Sequence, residues 1–396
     1  MHASPYGTSV KGFRDGAGPR FVRMDPLLVI ATLGLLACSI YTIASATTGD
    51  IEGDPNFYIF RQAAYAGVGL ILMFILSRID YSRFREWRAG LYVGMLAAIV
   101  VVFAIGSAAR GSRRAIDLGF FSLQTSELGK VLLILTLSAF AVDRIRRLGD
   151  RETTSRLVLL ALLPAMLVVA QPDLGSGLVY IAICTAVLFV AGTKWTHFAA
   201  LGALATAALV VVLVAAPAAG VEVLKPYQMD RLTAFVNPTE NPAKQGYQQA
   251  QSLVAIGAGG KTGRGDAATQ TKLDFLPEHH TDFIFSVVGE EFGFMGAALV
   301  LSLFALLIWR CLRILTMAKN LYGSLIAGGV TAMLMFQVFV NVGMTIGIMP
   351  ITGVTLPLMS YGGSSVIVTL MALGLMQSIH AQAREMALSK GRDIAL

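Results

Sequence analysis

Apolar stretches of about 20 residues, long enough to cross a bilayer as a helix, recur along the whole chain between short polar segments. Hydrophobic residues make up 55% of the 396 positions and charged residues only 14%, with a mean hydropathy of +0.68. A soluble globular protein would carry far more charge. We therefore predict an all-α integral membrane protein.

The hydropathy pattern predicts about ten transmembrane helices in one membrane domain, residues 25–382, between an amino-terminal tail, 1–24, and a carboxyl-terminal tail, 383–396. The spans are expected at about residues 27–46, 60–77, 89–107, 127–142, 157–171, 176–192, 197–219, 282–309, 322–343 and 358–380. The first span ends in Ala44-Ser45-Ala46, which suits a signal-peptidase site. Its length and the span that follows favour an uncleaved helix.

Lys and Arg alternate in density between successive loops. Arg83, Arg85 and Arg88 follow the second span, and the segment 144–156 after the fourth span holds another arginine cluster. Cationic loops stay in the cytoplasm, so this pattern predicts a cytoplasmic (inner) membrane protein with both termini inside. In this topology 20 of the 31 Lys and Arg are cytoplasmic, and ten of the other 11 fall in two outer segments, 110–130 and 225–272. Because the cations form short clusters between apolar runs, the net charge of +7 indicates membrane orientation and not nucleic acid binding.

Two polar segments are predicted to lie on the outer side. Residues 106–124 mix small, basic and aromatic residues, which favours a surface-lying or re-entrant element with Arg113 and Arg114 at headgroup depth. The extracytoplasmic loop between helices seven and eight, about residues 220–281, is the only loop long enough to shape a pocket by itself. Its Gly, Tyr, Phe and Leu content argues against disorder.

Three places in or beside the predicted spans put charge where charge is costly: the pair Glu127 and Lys130, Asp173, and Asp282. Glu127 and Lys130 are three residues apart on one helix face and can pair. Either a structural ion pair or a substrate contact explains them. Asp173 precedes Gly175-Ser176-Gly177, so it either caps the next helix or binds a ligand.

Asp282, at the start of the eighth predicted span, is the sharpest candidate. In a continuous helix it would share a polar face with Ser286, Glu290 and Gly293. Glu290 would then lie about 12 Å away along the axis, too far for a directly paired acid and base unless the helix breaks. The structural alternative is a first-turn acid favoured by the helix dipole.

Two short motifs do not support the sites that they suggest. Gly259-Gly260-Lys261-Thr262 looks like the end of a phosphate-binding loop, but position 255, where that motif needs glycine, is alanine. Glu278-His279-His280 with Asp282 could suggest metal ligands, yet no further ligands cluster nearby, and we predict no dedicated metal site.

The chain resembles the SEDS family (shape, elongation, division and sporulation), the RodA and FtsW group, over nearly its whole length from Asp25 to Gln382. The matching stretches are Gln124-Thr-Ser-Glu-Leu-Gly-Lys130, Gln171-Pro-Asp-Leu-Gly-Ser176, Arg231-Leu-Thr-Ala-Phe-Val-Asn-Pro238, Gly246-Tyr-Gln-Gln249, Leu276-Pro-Glu-His-His-Thr-Asp-Phe-Ile-Phe285, Gly289-Glu-Glu-Phe-Gly293 and Leu356-Pro-Leu-Met-Ser-Tyr-Gly-Gly-Ser-Ser365. The short amino-terminal tail and Asp25-Pro26 look more like the elongation branch, RodA, than the division branch.

This resemblance implies a peptidoglycan glycosyltransferase that polymerises lipid II during cell elongation, with a class B penicillin-binding protein and the elongation machinery as partners. It implies that Asp282 is the catalytic base toward the acceptor hydroxyl. Outer cations would stabilise the pyrophosphate leaving group, and a divalent cation such as Mg²⁺ could accompany that group. The residues expected to bind substrate are Arg113, Arg114, Glu127, Lys130, Asp173, Arg231, Lys261, Glu278, His280 and Ser364.

Two residues depart from the family pattern. Thr125 replaces the usual proline before the Ser-Glu pair, and Ala115 replaces the tryptophan that commonly follows the arginine. Both lie in the segment that joins the third and fourth spans, so the lipid contacts there are expected to differ. The alternative functions are a lipid II flippase, which ten helices with intramembrane charge would suit, a scaffold for the synthase complex, and the division-branch polymerase.

Overall fold

The structure is a computed structural model that describes residues 24–47, 56–105, 107–109, 112–117, 119, 122–218, 220, 229, 231, 235, 245–272 and 275–389. The helices are α1 (Pro26–Ala46), α2 (Phe57–Arg78), α3 (Arg83–Glu86), α4 (Arg88–Ile105), α5 (Thr125–Asp143), α6 (Arg151–Ala170), α7 (Leu174–Val190), α8 (Trp195–Ala218), α9 (Gln245–Gly259), α10 (Thr269–Lys272), α11 (Ile284–Met317), α12 (Leu321–Thr345) and α13 (Gly363–Ser389). A small sheet contains β1 (Ser107–Ala109), β2 (Ser112–Asp117) and β3 (Ser122–Gln124).

Eight of the described helices are long and apolar enough to cross a membrane, and α4 and α7 are shorter apolar helices. Each of them coincides with one of the ten predicted spans, which confirms the fold class. The last span was predicted from residue 358, but the helix begins at Gly363. Ser360 explains it, because its hydroxyl accepts a hydrogen bond from the N–H of Leu356 at 2.8 Å and closes a turn in this apolar segment.

Three helices form the centre of the bundle. The apolar windows of α5, α12 and α13 are 78%, 72% and 83% buried. The window of α8 is 0% buried, so this helix lies at the periphery. Inside the bundle, packing replaces contact with lipid, and polar side chains can be held there if they find partners.

Residues 107–109, 112–117 and 122–124 form a three-stranded antiparallel sheet in the order β1-β2-β3, within the segment 106–124 that was predicted to be surface-lying or re-entrant. Alternating residue types fit a strand, in which neighbours point to opposite faces. Ser364 fixes the last strand to α13, because its hydroxyl donates to the carbonyl of Ser122 at 2.6 Å and accepts from the N–H of Gln124 at 2.9 Å. The sheet therefore leads directly into α5.

Helix α11 breaks at Gly293, whose backbone adopts φ 62° and ψ −158°. The N–H groups of Phe294 and Met295, which lose their helical partners there, donate to the carbonyls of Gly260 and Lys261 at 2.9 and 3.1 Å. A side chain at position 293 would come within 2.3 Å of the nitrogen of Gly263. The backbone of the glycine-rich turn after α9 therefore supplies the hydrogen-bond partners that α11 lacks at this break, and we call this turn the clamp.

A buried ion pair joins three helices at the end of the bundle that lies away from Asp282. Arg310 in α11 donates through Nε to both carboxylate oxygens of Asp25, at 3.1 and 2.9 Å. Gln377 in α13 donates to the carbonyl of Asp25 at 3.1 Å and accepts from its N–H at 2.7 Å. The side chains of Asp25 and Arg310 are 0% and 3% exposed. We call this the Asp25 end of the bundle, and the other end the Asp282 end.

Candidate active site

Asp282 lies in a series of turns, residues 277–283, immediately before α11. The helix begins at Ile284, its N-cap residue is Phe283, and its first turn contains no acidic residue. The interpretation of Asp282 as a first-turn acid is therefore wrong, and so is the prediction that it shares a continuous helix face with Glu290 and Gly293. Its carboxylate is placed by a turn just before the N-cap residue of α11.

The Asp282 carboxylate faces the loop that precedes α13. A methyl group built on Gly353 would lie 3.6 Å from Oδ2 of Asp282 and 3.9 Å from Nη2 of Arg231. Arg231 also donates through Nη1 to the carbonyl of Thr352 at 3.2 Å. An anionic and a cationic side chain thus reach the same glycine, which has a positive φ of 73°.

Glu278 and His280 belong to the same series of turns as Asp282. Glu278 accepts from the hydroxyl of Thr281 at 2.9 Å, so it supports its own turn. The ring of His280 lies among aromatic rings, 4.9 Å from that of Tyr58 and 5.8 Å from that of Tyr361. Burial and the neighbouring Tyr65 raise the pKa of Tyr361 to about 12, so its hydroxyl stays protonated at neutral pH.

Glu127 and Lys130 form the ion pair that their spacing predicts. Lys130 Nζ donates to Glu127 Oε1 at 2.6 Å, and the two side chains are 2% and 7% exposed. Asp173 caps α7 by accepting from the N–H of Ser176 at 3.0 Å, as the capping interpretation predicts. Its other oxygen accepts from the hydroxyl of Ser126 at 2.9 Å, which joins the starts of α5 and α7.

The start of α7, which Asp173 caps, lies close to the backbone of the loop that faces Asp282. A side chain at Gly175 would come within 2.8 Å of the carbonyl of Thr352, the group to which Arg231 donates. Glycine is needed at this position for the start of α7 to pack against residues 352–354. One polar layer at the Asp282 end therefore contains the buried charges at the starts of α5 and α7, which are Glu127, Lys130 and Asp173, together with the half-buried Asp282.

Other predicted site residues have structural surroundings. Lys261 is exposed in the turn that clamps Gly293. Both hydrogen bonds of Ser364 go to the backbone of β3. The side chains of Arg113 and Arg114 lie outside the described residues. No group of three or more His, Cys, Asp and Glu side chains that could hold a metal was found in the part of the chain that the structure describes.

Sequence reasoning missed Asn341 and Gly353. Asn341, in α12, is fully buried and donates to the carbonyl of Asp282 at 2.9 Å and to that of Val354 at 2.7 Å. An amide within a mostly apolar run was the available signal, because buried polar groups in a membrane need partners, although the same run also contains Gln337. The sequence around Gly353 does not distinguish it from other loop glycines, and only the fold shows that Asp282 and Arg231 face it.

The fold and this polar layer define a multi-pass helical membrane protein with acidic and basic side chains gathered at one end of its bundle. A family model described as cell cycle protein, covering FtsW, RodA and SpoVE, matches residues 23–385. The chain belongs to this family.

Several curated relatives match at nearly full length. Stage V sporulation protein E of Bacillus subtilis is 38% identical over 91% of this chain and 98% of its own length. The peptidoglycan glycosyltransferase MrdB of Escherichia coli is 36% identical over 93% and 96%. A probable peptidoglycan glycosyltransferase FtsW of Thioalkalivibrio sulfidiphilus is 38% identical over 92% and 91%.

Solved structures agree with this assignment. A chain from a peptidoglycan synthase complex, described as coordinating polymerization and crosslinking, matches with a TM-score of 0.75 and 34% identity over 91% of this chain and 98% of its own. The rod shape determining protein RodA of Thermus thermophilus matches with a TM-score of 0.65 and 31% identity over 91% and 98%. The family relationship therefore holds at the level of both sequence and fold.

Proposed function

We propose that the chain polymerises lipid II into glycan strands with Asp282 as the general base. Curated relatives of similar length are peptidoglycan glycosyltransferases, and this chain is an enzyme of that class. The substrate, the base and the cations below are our assignments. They rest mainly on one observation, the half-buried carboxylate of Asp282 beside the guanidinium of Arg231 at Gly353.

Glycosyl transfer from a lipid pyrophosphate needs a group that accepts a proton. The acceptor hydroxyl attacks the anomeric carbon of the donor sugar, and the bond to undecaprenyl pyrophosphate breaks with its electron pair on the leaving oxygen. The Asp282 carboxylate takes the proton of the attacking hydroxyl in the same step. A partly exposed carboxylate in a loop can both reach the sugar and exchange this proton with water afterwards.

The leaving pyrophosphate gains negative charge, which cations can stabilise. Arg231 is the described cation that lies with Asp282 at the same glycine, and its fork of N–H donors suits phosphate oxygens. Lys130 is held by Glu127, so this pair serves better to shape the polar layer than as a free phosphate ligand. A divalent cation such as Mg²⁺ would enter with the pyrophosphate.

The location of the site and the partner complete the proposal. With the cationic loops inside, the Asp282 end faces the outer surface of the cytoplasmic membrane and both termini are cytoplasmic. A class B penicillin-binding protein is the proposed partner, supported by the likeness to a chain of a peptidoglycan synthase complex. Likeness to the RodA structure favours the elongation branch and its machinery, although relatives named for sporulation and division match at similar identity.

Polymer formation tests this function against transport. The purified chain, alone and with its transpeptidase, is incubated with lipid II, and glycan strands are resolved on a gel. We expect a ladder of polymer that requires the chain and increases with the partner. In a parallel assay, lipid II movement across vesicle membranes is measured. Movement without any polymer would favour the flippase and contradict our proposal.

A further inference from the structure

Asn341 connects the segment that carries Asp282 to the segment that carries Gly353. It lies one turn before the end of α12, is 0% exposed, and its amide nitrogen makes two hydrogen bonds. One goes to the carbonyl of Asp282 at 2.9 Å and the other to the carbonyl of Val354 at 2.7 Å. An amide NH₂ has two hydrogens, so both are used.

Neither carbonyl is supported by a helix or a sheet at this point. At the start of α11, the N–H of Ser286 donates to Phe283 at 2.9 Å and not to Asp282, which would be its partner in a continuous helix. Val354 lies in the extended loop before α13. The side chain of Asn341 therefore takes the place of regular secondary structure for the two backbone segments on either side of the Asp282 carboxylate.

We propose that Asn341 is a positioning residue for glycosyl transfer, which fixes Asp282 relative to Gly353 and Arg231 without touching substrate. This inference rests on the proposed role of Asp282 as base. Without the two hydrogen bonds, the carbonyls of Asp282 and Val354 lose the donor that they share, and the position of the Asp282 turn relative to the 352–354 loop is less tightly fixed. A displacement of about 1 Å in a catalytic group can cost roughly 100-fold in rate, while binding of the lipid substrate depends on many other contacts.

The test compares variants of Asn341 in the complex of the full chain with its transpeptidase. Asn341→Leu keeps the side-chain size and removes both donors, and Asn341→Ser keeps one short donor. Thr331→Val is the matched control, because Thr331 is also buried in α12 but its hydroxyl donates only within that helix, to Ala327 at 2.7 Å. Polymerisation rate at saturating lipid II, KM for lipid II and the unfolding midpoint are measured for each.

We expect Asn341→Leu to lower the saturating rate by at least about tenfold, with KM changed by less than about threefold, and Asn341→Ser to recover part of the rate. Thr331→Val should match the wild type. If Asn341→Leu does not fold, Asn341→Ser is used in its place. We then expect a lower saturating rate with little change in KM. A folded Asn341→Leu that keeps more than about half the wild-type rate, or in which KM alone changes, overturns the inference, and the same limits apply to Asn341→Ser if Asn341→Leu does not fold.

Asp282→Asn, measured in the same series, separates this inference from the proposed function. If Asp282→Asn is inactive and Asn341→Leu is fully active, Asp282 keeps its role and only the positioning role fails. If Asp282→Asn remains active, the base assignment fails whatever Asn341 does, and the positioning role fails with it.

Discussion

Lys130 donates a hydrogen bond of 2.6 Å to Glu127 inside the bundle, where the two side chains are 2% and 7% exposed. Removing either partner leaves a buried charge without its counterion, which typically costs about 3–5 kcal/mol. The single changes Glu127→Gln and Lys130→Met should therefore lower both membrane abundance and polymerisation.

The exchange of the two residues separates structure from function. Glu127→Lys with Lys130→Glu keeps a pair but reverses its direction, and we expect abundance to recover while polymerisation does not. The exposed pair Glu152 and Arg156 is the control, since its side chains are 74% and 58% exposed and exchanging them should change little. Full recovery of polymerisation by the inner exchange would show that the pair is only structural.

Glu290 holds α10 to α11 through hydrogen bonds of its carboxylate. Its carboxylate accepts from the N–H groups of Thr269, Gln270 and Thr271 at 2.8, 2.9 and 3.0 Å and from the hydroxyl of Thr271 at 2.6 Å. Glu290→Gln turns one acceptor into a donor that faces other donors, which should cost about 1–3 kcal/mol. We expect faster amide exchange in α10, measured by mass spectrometry.

The exposed Glu86 provides the comparison for this experiment. Glu86→Gln should leave exchange in α10 unchanged, because Glu86 lies in α3 on the surface. Equal protection of residues 269–272 in the wild type and in Glu290→Gln would contradict the capping role of Glu290.

Membrane orientation is testable by labelling from one side. The arrangement of Lys and Arg predicts that the loop 220–281 is external and that the segments after the second and fourth predicted spans, which contain Arg83 and Arg146, are cytoplasmic. A cysteine introduced near Asn241 should react with an impermeant maleimide in intact spheroplasts, and one introduced near Arg146 should react only after lysis. Protection of the Asn241 site in intact cells would reverse the proposed topology and place Asp282 on the wrong side.

The sequence predicted the helices well because a bilayer imposes one length and one composition on every span. It also predicted the pair Glu127 and Lys130 and gave the cap at Asp173 as one of two alternatives, since both depend on residues close together in sequence. The sequence did not predict the break in α11 at Gly293. Hydropathy is the same on both sides of a broken helix, and the clamp comes from the turn at residues 260–263.

Contacts between distant segments account for the other misses. Asp25 and Arg310 pair across 285 positions, and Asn341 meets Asp282 across 59. Each was visible as a polar residue next to or within an apolar run, which indicates that a partner exists but not which one. Only the fold identifies the partner. It also shows that Asp282 lies in a turn before α11 and not in the first turn of that helix.

The central claim is that Asp282 accepts the proton of the attacking hydroxyl. Asparagine keeps the size of the side chain but cannot act as this base, while the backbone carbonyl that Asn341 binds is unchanged. Asp282→Asn should therefore fold, enter the membrane and bind the transpeptidase normally. Asp266→Asn is the control, because Asp266 is an exposed aspartate in the loop between α9 and α10.

The most direct measurement is the rate of glycan polymer formation from lipid II by wild type, Asp282→Asn and Asp266→Asn at equal monodisperse concentration. We predict that Asp282→Asn loses at least about 100-fold, the low end for removal of a general base, and that Asp266→Asn retains the wild-type rate. An Asp282→Asn variant that keeps more than about a tenth of the wild-type rate would remove Asp282 from the catalytic role.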